Sequence, residues 1–277
     1  MMHSMQFWKE GGTPRGGAWA HVLAFLALLV LPGVAAAQTE VRVGGYAFPP
    51  FVDDSAPEGG VTPALIGALN DLDSAVRFTF VETSPARRYR DFEAGAFDVM
   101  FLEMAAWGWR DRDFEVTATR TFLKGGEVYV ARAEDAQSQA YFDDFADKRI
   151  AAVPGYHYGF ADFNADPDYL RANFDIDLSS DHRTNLKKLL RGRVDVAVVT
   201  KSFLELYLKE NPEVEGQLRV SDKLDQAYRL GALVGPNAPI DAARLNALIA
   251  RLEDQGAIAD TLAPFGIADQ WVAGSES

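Results

Sequence analysis

The sequence contains no cysteine and only four histidines among its 277 residues. The first absence excludes a disulfide scaffold, a thiolate metal centre and a cysteine nucleophile. The second leaves His157 and His182 as the histidines beyond residue 37. They stand in no His-x-x-x-His spacing and beside no clustered carboxylates, so no metal is expected. Basic residues are also scarce, 27 against 40 acidic ones, for a formal net charge of −13. That balance argues against a protein that coats nucleic acid, and Arg87-Arg88-Tyr89-Arg90 is an isolated basic run. No apolar run approaches the ~20 residues of a membrane-spanning helix. Gly-x-Ser-x-Gly, Walker and dinucleotide fingerprints are absent as well, so no cofactor is expected.

What is present begins with a leader. Lys9 and Arg15 precede the apolar stretch Val22–Leu31, and Ala35-Ala36-Ala37 comes after it. A positive start, a short apolar segment and small residues form a secretory signal peptide, with cleavage expected before Gln38. No cysteine stands after it to carry a lipid, so the mature chain is expected to be soluble in the periplasm.

Two halves of the mature chain share one grammar. Val41-Arg-Val-Gly-Gly-Tyr46 is matched much later by Ile150-Ala-Ala-Val-Pro-Gly-Tyr156. Phe92-Glu-Ala-Gly95-Ala-Phe-Asp98-Val99 is matched by Leu189-Leu-Arg-Gly192-Arg-Val-Asp195-Val196. Each of the second pair reads as a helix, a glycine cap, an aspartate in the αβ corner and a buried strand. Helices are expected over Pro63–Leu72 and Asn185–Leu190, giving βαβ alternation. A strand over Tyr228–Val234 and a helix carrying Leu245, Leu248, Ile249 and Leu252 on one face exceed what the second half needs. Their return to the first half would make the chain cross twice, near Ala131–Glu134 and near Gln226–Leu230, as a hinge does.

The chain resembles the periplasmic solute-binding proteins of the polar-amino-acid type, extracellular solute-binding protein family three. The resemblance rests on Gly45-Tyr46-Ala-Phe48-Pro-Pro-Phe51, Pro85-Ala-Arg-Arg88, Gly95-Ala-Phe-Asp98, Glu127-Val-Tyr-Val-Ala-Arg132, Lys148-Arg-Ile-Ala-Ala-Val-Pro-Gly155, Gly192-Arg-Val-Asp195 and the closing Pro264-Phe-Gly266. It implies an α/β, two-lobed, type II periplasmic-binding-protein-like fold, with two mixed, mostly parallel sheets joined by a double-crossover hinge. The expected division is a signal peptide at 1–37, a first lobe of 38–131 plus 230–277 and a second lobe of 132–229. The function it implies is capture of a small, anionic or amino-acid-like solute between the lobes and delivery to an inner-membrane ABC permease. The protein is expected to be a monomer and not an enzyme. Two alternatives remain: the ligand-binding part of a sensory system, or a dehydratase-like enzyme on the same scaffold with Glu103 or His157 as acid or base.

Ligands of open α/β sheets sit beyond the carboxyl ends of the strands. Tyr46, Phe48, Phe51, Trp107, Trp109, Tyr156 and Tyr158 crowd those positions. Rings with polar tips suit a flat or apolar solute, or a cation held over a ring face. Arginine clamps a carboxylate or phosphate with two parallel hydrogen bonds, and the family's clamp falls on Arg110 or Arg112, with Arg88 as a third candidate. Glu103 could hold a cationic group or merely orient an arginine. Thr200 stands where amino-acid binders keep an ammonium-binding aspartate, which weakens the assignment of an ordinary α-amino acid.

Overall fold

The computed structural model describes residues 38–274. The expected leader, residues 1–37, lies outside the described residues. Among those described, no helix is long and apolar enough to cross a membrane.

The described residues form nine strands and seven α-helices in the order β1 (Thr39–Gly45), α1 (Val61–Leu72), β2 (Val76–Glu82), α2 (Arg88–Glu93), β3 (Val99–Glu103), β4 (Thr117–Ala118), β5 (Leu123–Arg132), β6 (Ile150–Ala152), α3 (Pro167–Asn173), β7 (Ile176–Leu178), α4 (His182–Leu190), β8 (Val196–Thr200), α5 (Lys201–Glu210), β9 (Leu218–Val234), α6 (Ala242–Asp254) and α7 (Ala257–Leu262). Both helices expected between the paired motifs form, and each starts earlier than its apolar residues suggest. For α4 the cause is Asp181, whose side chain accepts from the Thr184 amide and caps the helix. On α6, Leu245, Leu248, Ile249 and Leu252 are all buried, as their spacing requires.

The fold is α/β with a mixed sheet and two lobes. Strand order runs β2-β1-β3-β9-β5-β8-β6-β7, with β4 on β9. The outer strands pair in parallel, β1 with β2 and β3, and β6 with β7 and β8. Pairings made by β9 and β5 are antiparallel, so parallel pairs do not predominate as expected. The reason is the length of β9. Its 17 residues pair with β5 up to Leu230 and with β3 from Gly231 onward, joining the two halves into one path.

Beside that changeover, Thr119 and Phe122 donate their amides to the Ala232 and Leu230 carbonyls. Two neighbouring segments therefore pass between the lobes, 119–123 and 230–232. The first lies about ten residues before the expected 131–134, because the whole of β5 pairs within the second sheet. The C-terminal segment returns to this junction. Trp271 stacks on Phe122 and donates to Glu253, which also pairs with Arg120.

The repeated αβ corners are alike in detail. Gly95 and Gly192 take left-handed φ values of 69° and 64°, ending α2 and α4. Asp98 then accepts the Arg42 amide at 2.8 Å, and Asp195 accepts the Arg149 amide at 2.8 Å. Each aspartate thus locks its corner to the neighbouring strand. Because the parallel strands leave these corners in a common direction within each lobe, β1, β3, β6 and β8 direct their carboxyl ends toward one seam.

Candidate functional site

Along that seam the lobes touch through side chains, leaving a central space of about 10 Å³. That is room for little more than one water. Tyr46, Phe48, Arg88 and Trp107 line it from the first lobe, and Glu127, Tyr156, His157, Gln226 and Tyr228 from the second. Two grooves flank it. One of about 310 Å³ reaches Tyr156 from the side of Asp53 and His182, and a wider one of about 800 Å³ reaches His157 from the side of Arg112.

Phe48 is the hub of an aromatic cluster. Its ring lies 5.5–5.9 Å from those of Tyr46, Trp107, Tyr156 and Tyr228, and Trp107 meets Tyr228 edge-on at 5.4 Å. Polar links also cross the seam here. The Tyr156 hydroxyl donates to the Ala47 carbonyl at 2.6 Å, the Trp107 indole N–H donates to Gln226 Oε1 at 2.8 Å, and Arg88 Nη1 donates to the Gly155 carbonyl at 3.3 Å.

Arg88 opens α2 and is 1% exposed; among the described residues it is the only buried lysine or arginine. Its Nε lies 3.3 Å from Glu103 Oε2, and Nη1 also donates to the Pro85 carbonyl. Glu103 owes its inward aim to a bulge. Leu102 holds a φ of 52°, costly for a branched side chain, and the β3–β9 register shifts between Phe101 and Glu103. Burial pushes the Glu103 carboxyl up, while Arg88, the Met104 amide, Tyr46 and Trp109 pull it down. A guanidinium does not shed its proton, so a neutral Glu103 would strand a buried cation; the pair is ionic.

His157 is held neutral. Burial and the facing Arg88 depress its imidazole from 6.5 to about 3. Its Nδ1 lies 3.3 Å from Arg88 Nη2, so Nδ1 accepts, and Nε2–H is left for the Tyr89 hydroxyl at 3.5 Å. Gly108 permits this closeness: it takes a φ of 71°, and a Cβ there would come within 3.0 Å of both His157 and Tyr89.

The second acidic centre is Glu127 with Asp225. Burial and the Asp225 charge push Glu127 from 4.5 up to about 8. Burial raises Asp225 too, but Asp225 accepts from the Tyr129 hydroxyl and from the Gly159 and Phe160 amides. Three donors hold Asp225 ionised, and the proton resides on Glu127, which has the Gln226 amide at 2.8 Å and the Tyr228 hydroxyl as its neighbours.

Of the residues singled out in the sequence, the fold gathers Tyr46, Phe48, Arg88, Trp107 and Tyr156 around the central space. Glu103 stands behind Arg88. Thr200, buried at the end of β8, faces His182 Nε2 at 3.2 Å. Phe51, Trp109 and Tyr158 belong to the core instead: Phe51 packs on Phe48, Trp109 on Tyr89, Phe92 and Phe114, and the Tyr158 hydroxyl accepts the Val153 amide. Arg110 and Arg112 are exposed. The Trp-Gly-Trp turn sends both indoles inward and so turns the arginines outward, with Arg112 lying over the Tyr89 ring at 4.0 Å. Glu127, Gln226 and Tyr228 escaped sequence reasoning as cleft residues. The only hint was Gly125-Gly126, which lets β9 pass within 2.6 Å of where a Gly126 Cβ would stand.

Solved structures share the fold. The GluR0 ligand-binding core from Nostoc punctiforme in complex with L-glutamate is 17% identical, with a TM-score of 0.62 over 81% of this chain and 98% of that one. Tv2483 bound to L-arginine is 12% identical, with a TM-score of 0.67 over 85% and 93%. A histidine kinase sensor domain with similarity to periplasmic binding proteins is 19% identical, with a TM-score of 0.64 over 82% and 96%. At these identities the likeness is one of fold. No curated protein matches the sequence. Residues 70–277 match the family described as "ABC transporter, phosphonate, periplasmic substrate-binding protein", and since this is most of the chain, the protein belongs to that family of periplasmic substrate-binding proteins.

Proposed function

We propose that the protein captures a small solute bearing an oxyanion, phosphonate or carboxylate, in the cleft between its lobes and passes it unchanged to an ABC-type permease. It acts as a periplasmic monomer released from its leader near Ala37. The observation that carries the oxyanion is Arg88. Its Nη1 and Nη2 edges point across the seam at the Gly155 carbonyl and the His157 ring, both from the opposite lobe. Parting of the lobes about 119–123 and 230–232 frees those edges while Glu103 keeps the guanidinium charged and oriented. An entering anion then replaces two neutral acceptors with charged ones, which is the stronger bond. The central space is too small for a solute, so binding requires opening and reclosing around it.

The family supports a phosphonate, and the resemblance to polar-amino-acid binders adds carboxylates. Tyr46, Phe48, Trp107 and Tyr156 supply an apolar wall for the rest of the molecule. A thermal-shift screen of alkylphosphonates and short carboxylates, with calorimetry on the hits, tests the reading. A ligand at a hundredfold excess over Kd adds about 2.7 kcal/mol to stability. Arg88→Lys retains the charge that compensates Glu103 but loses the planar fork, so it is expected to weaken anion binding at least tenfold. Equal affinity in the variant would remove Arg88 from the site.

A further inference from the structure

The chain passes from the first lobe to the second at 119–123, and a third segment lies along that crossing. The Phe122 amide donates to the Leu230 carbonyl at 2.7 Å, and the Phe122 carbonyl accepts the Val272 amide at 2.8 Å. Phe122 is thus held from both sides, by the second crossing strand and by a C-terminal strap, residues 268–272. Trp271 adds a bridge to Leu123, and its indole lies nearly parallel to the Phe122 ring, with 11° between the planes and 5.9 Å between the centroids.

The two ends of the crossing are fastened to different bodies. Arg120 is tied to the first lobe: its amide donates to Asn246 Oδ1 at 3.3 Å and its guanidinium pairs with Glu253 at 2.5 Å, both on α6, which packs against α1. The strap is tied to the same place, since the Trp271 indole donates to Glu253 at 2.7 Å and Arg120 donates to the Val272 carbonyl at 2.7 Å. Leu123, by contrast, begins β5, which pairs with β8 in the second lobe. On the other crossing, β9 exchanges β5 for β3 between Leu230 and Gly231. A rotation of one lobe against the other is therefore absorbed at 230–231 and at 121–122, the latter directly under Trp271.

We propose that the 268–272 strap is a hinge brace: Trp271, pinned to the first lobe through Glu253, holds Phe122 at the angle of the closed lobes and so sets how much of the solute-free protein stands open. Rotation about 121–122 swings Leu123 away with the second lobe while the strap stays behind. It slides Phe122 out from under the indole and pulls on the hydrogen bond from Val272, and both losses fall on the open form. Solute enters only an open cleft, so Trp271 is a positioning residue that governs capture without touching the solute. The inference rests on the reading that capture needs the lobes to part, and not on which solute is captured.

The test measures opening with no solute at all. The sequence has no cysteine, so Asp54→Cys and Ser180→Cys, exposed positions of opposite lobes along the 310 Å³ groove, take a pair of spin labels in the whole mature chain. Pulsed electron resonance then reads the distribution of distances between the lobes. In that background Trp271→Ala is expected to raise the share of long distances at least threefold. Trp271→Phe keeps a ring over Phe122 but loses the bond to Glu253, and should raise that share by a smaller amount. Leu69→Ala, at a buried position of α1 outside the strap, is the stability control: its melting temperature should fall while its distances match the parent's. If the parent shows both short and long distances and Trp271→Ala leaves them as they are, the brace is overturned and lobe opening stands. No rise in Trp271→Phe overturns it equally where Trp271→Ala fails to fold. If Leu69→Ala opens the lobes as far as Trp271→Ala does, the effect is general loosening and there is no brace. One short distance in the parent and in all three variants overturns the brace and lobe opening together.

Discussion

Glu103 and Glu127 are both about 1% exposed and both lie along the seam, yet their surroundings differ in kind. Glu103 ends a strand of the first lobe and meets an arginine from the same lobe. Its ion pair is preassembled and does not depend on closure. Glu127 lies inside β5, and its neighbours are the Gln226 amide, the Tyr228 hydroxyl and another carboxylate. One glutamate is a fixed part of the scaffold that holds a cation ready for an anion. The other is a buried acid with no lysine or arginine partner among the described residues, and burial beside Asp225 keeps its proton on. Chemically similar side chains thus take opposite charge states according to whether the fold supplies their counter-charge.

The largest expected effect comes from breaking the supported side. Arg88→Ala leaves Glu103 charged, buried and unpaired, which costs about 3–5 kcal/mol of stability, and it removes the proposed anion contact as well. Adding Glu103→Gln to Arg88→Ala should recover much of the stability and none of the binding. Chemical denaturation separates the two effects. If the single change is harmless to stability, the pair is not the preassembled unit described above.

The pH dependence of the ligand-free protein sharpens the same contrast. Burial depresses His182 from 6.5 to about 4 and His157 to about 3. Each therefore contributes stability that is complete above 6.5 and is lost as the pH falls through those depressed values. Glu127 is raised from 4.5 to about 8, so its contribution is present below 4.5 and is lost as the pH rises through 8. Melting temperatures between about pH 3 and 9 should pass through a maximum and fall on both sides. His182→Gln should flatten the acid side and Glu127→Gln the alkaline side. Glu103→Gln, by contrast, should lower stability across the range, since it strands Arg88.

A smaller effect is expected at the latch. Tyr156→Phe keeps the ring in the cluster and deletes only the bond to the Ala47 carbonyl, worth about 1 kcal/mol. That loss biases the lobes toward the open form, which small-angle scattering reads as a larger radius of gyration before ligand and an unchanged one after it. An unaltered ligand-free radius would mean that closure is held elsewhere.

How far these features could be read in advance depends on how local their causes are. The αβ corners were legible because a glycine cap, an aspartate and the start of the strand that follows lie within five residues of one another, Gly95 to Val99 and Gly192 to Val196, and both copies behave alike. The α6 face was legible for the same reason. The first half of β9 was not: Leu218–Gln226 carries Arg219, Asp222, Lys223 and Asp225, and it is a strand because β5 lies beside it. Glu127 was invisible as a cleft residue because its burial depends on Gln226 and Tyr228, about a hundred positions away. Arg88 could be noticed from Pro85-Ala-Arg-Arg, but Arg87 is exposed and Arg88 buried only because α2 presents one face to Glu103.

The smallest expected effects concern Arg110 and Arg112, the arginines that family spacing favours. Both are exposed. Arg112 lies over Tyr89 and donates to the Gly108 carbonyl, so Arg112→Ala removes a surface cation–π contact of about 0.5–1 kcal/mol from the turn that supports Trp107. Arg110 makes no side-chain bond comparable to those of Arg88, and Arg110→Ala should change stability by less than about 0.5 kcal/mol. For an anion in the central space, an exposed charge at the groove mouth acts through water and is screened over about 8 Å at physiological ionic strength. Each alanine variant should therefore alter the calorimetric Kd less than about twofold at that salt, with whatever difference remains disappearing as salt is raised. The same measurement on Arg88→Lys should show a loss of tenfold or more that salt does not erase. A tenfold loss in Arg112→Ala, with Arg88→Lys unaffected, would move the anion out of the central space and into the 800 Å³ groove that Arg112 lines. The aromatic cluster would then be a closed hinge core rather than the wall of a binding site.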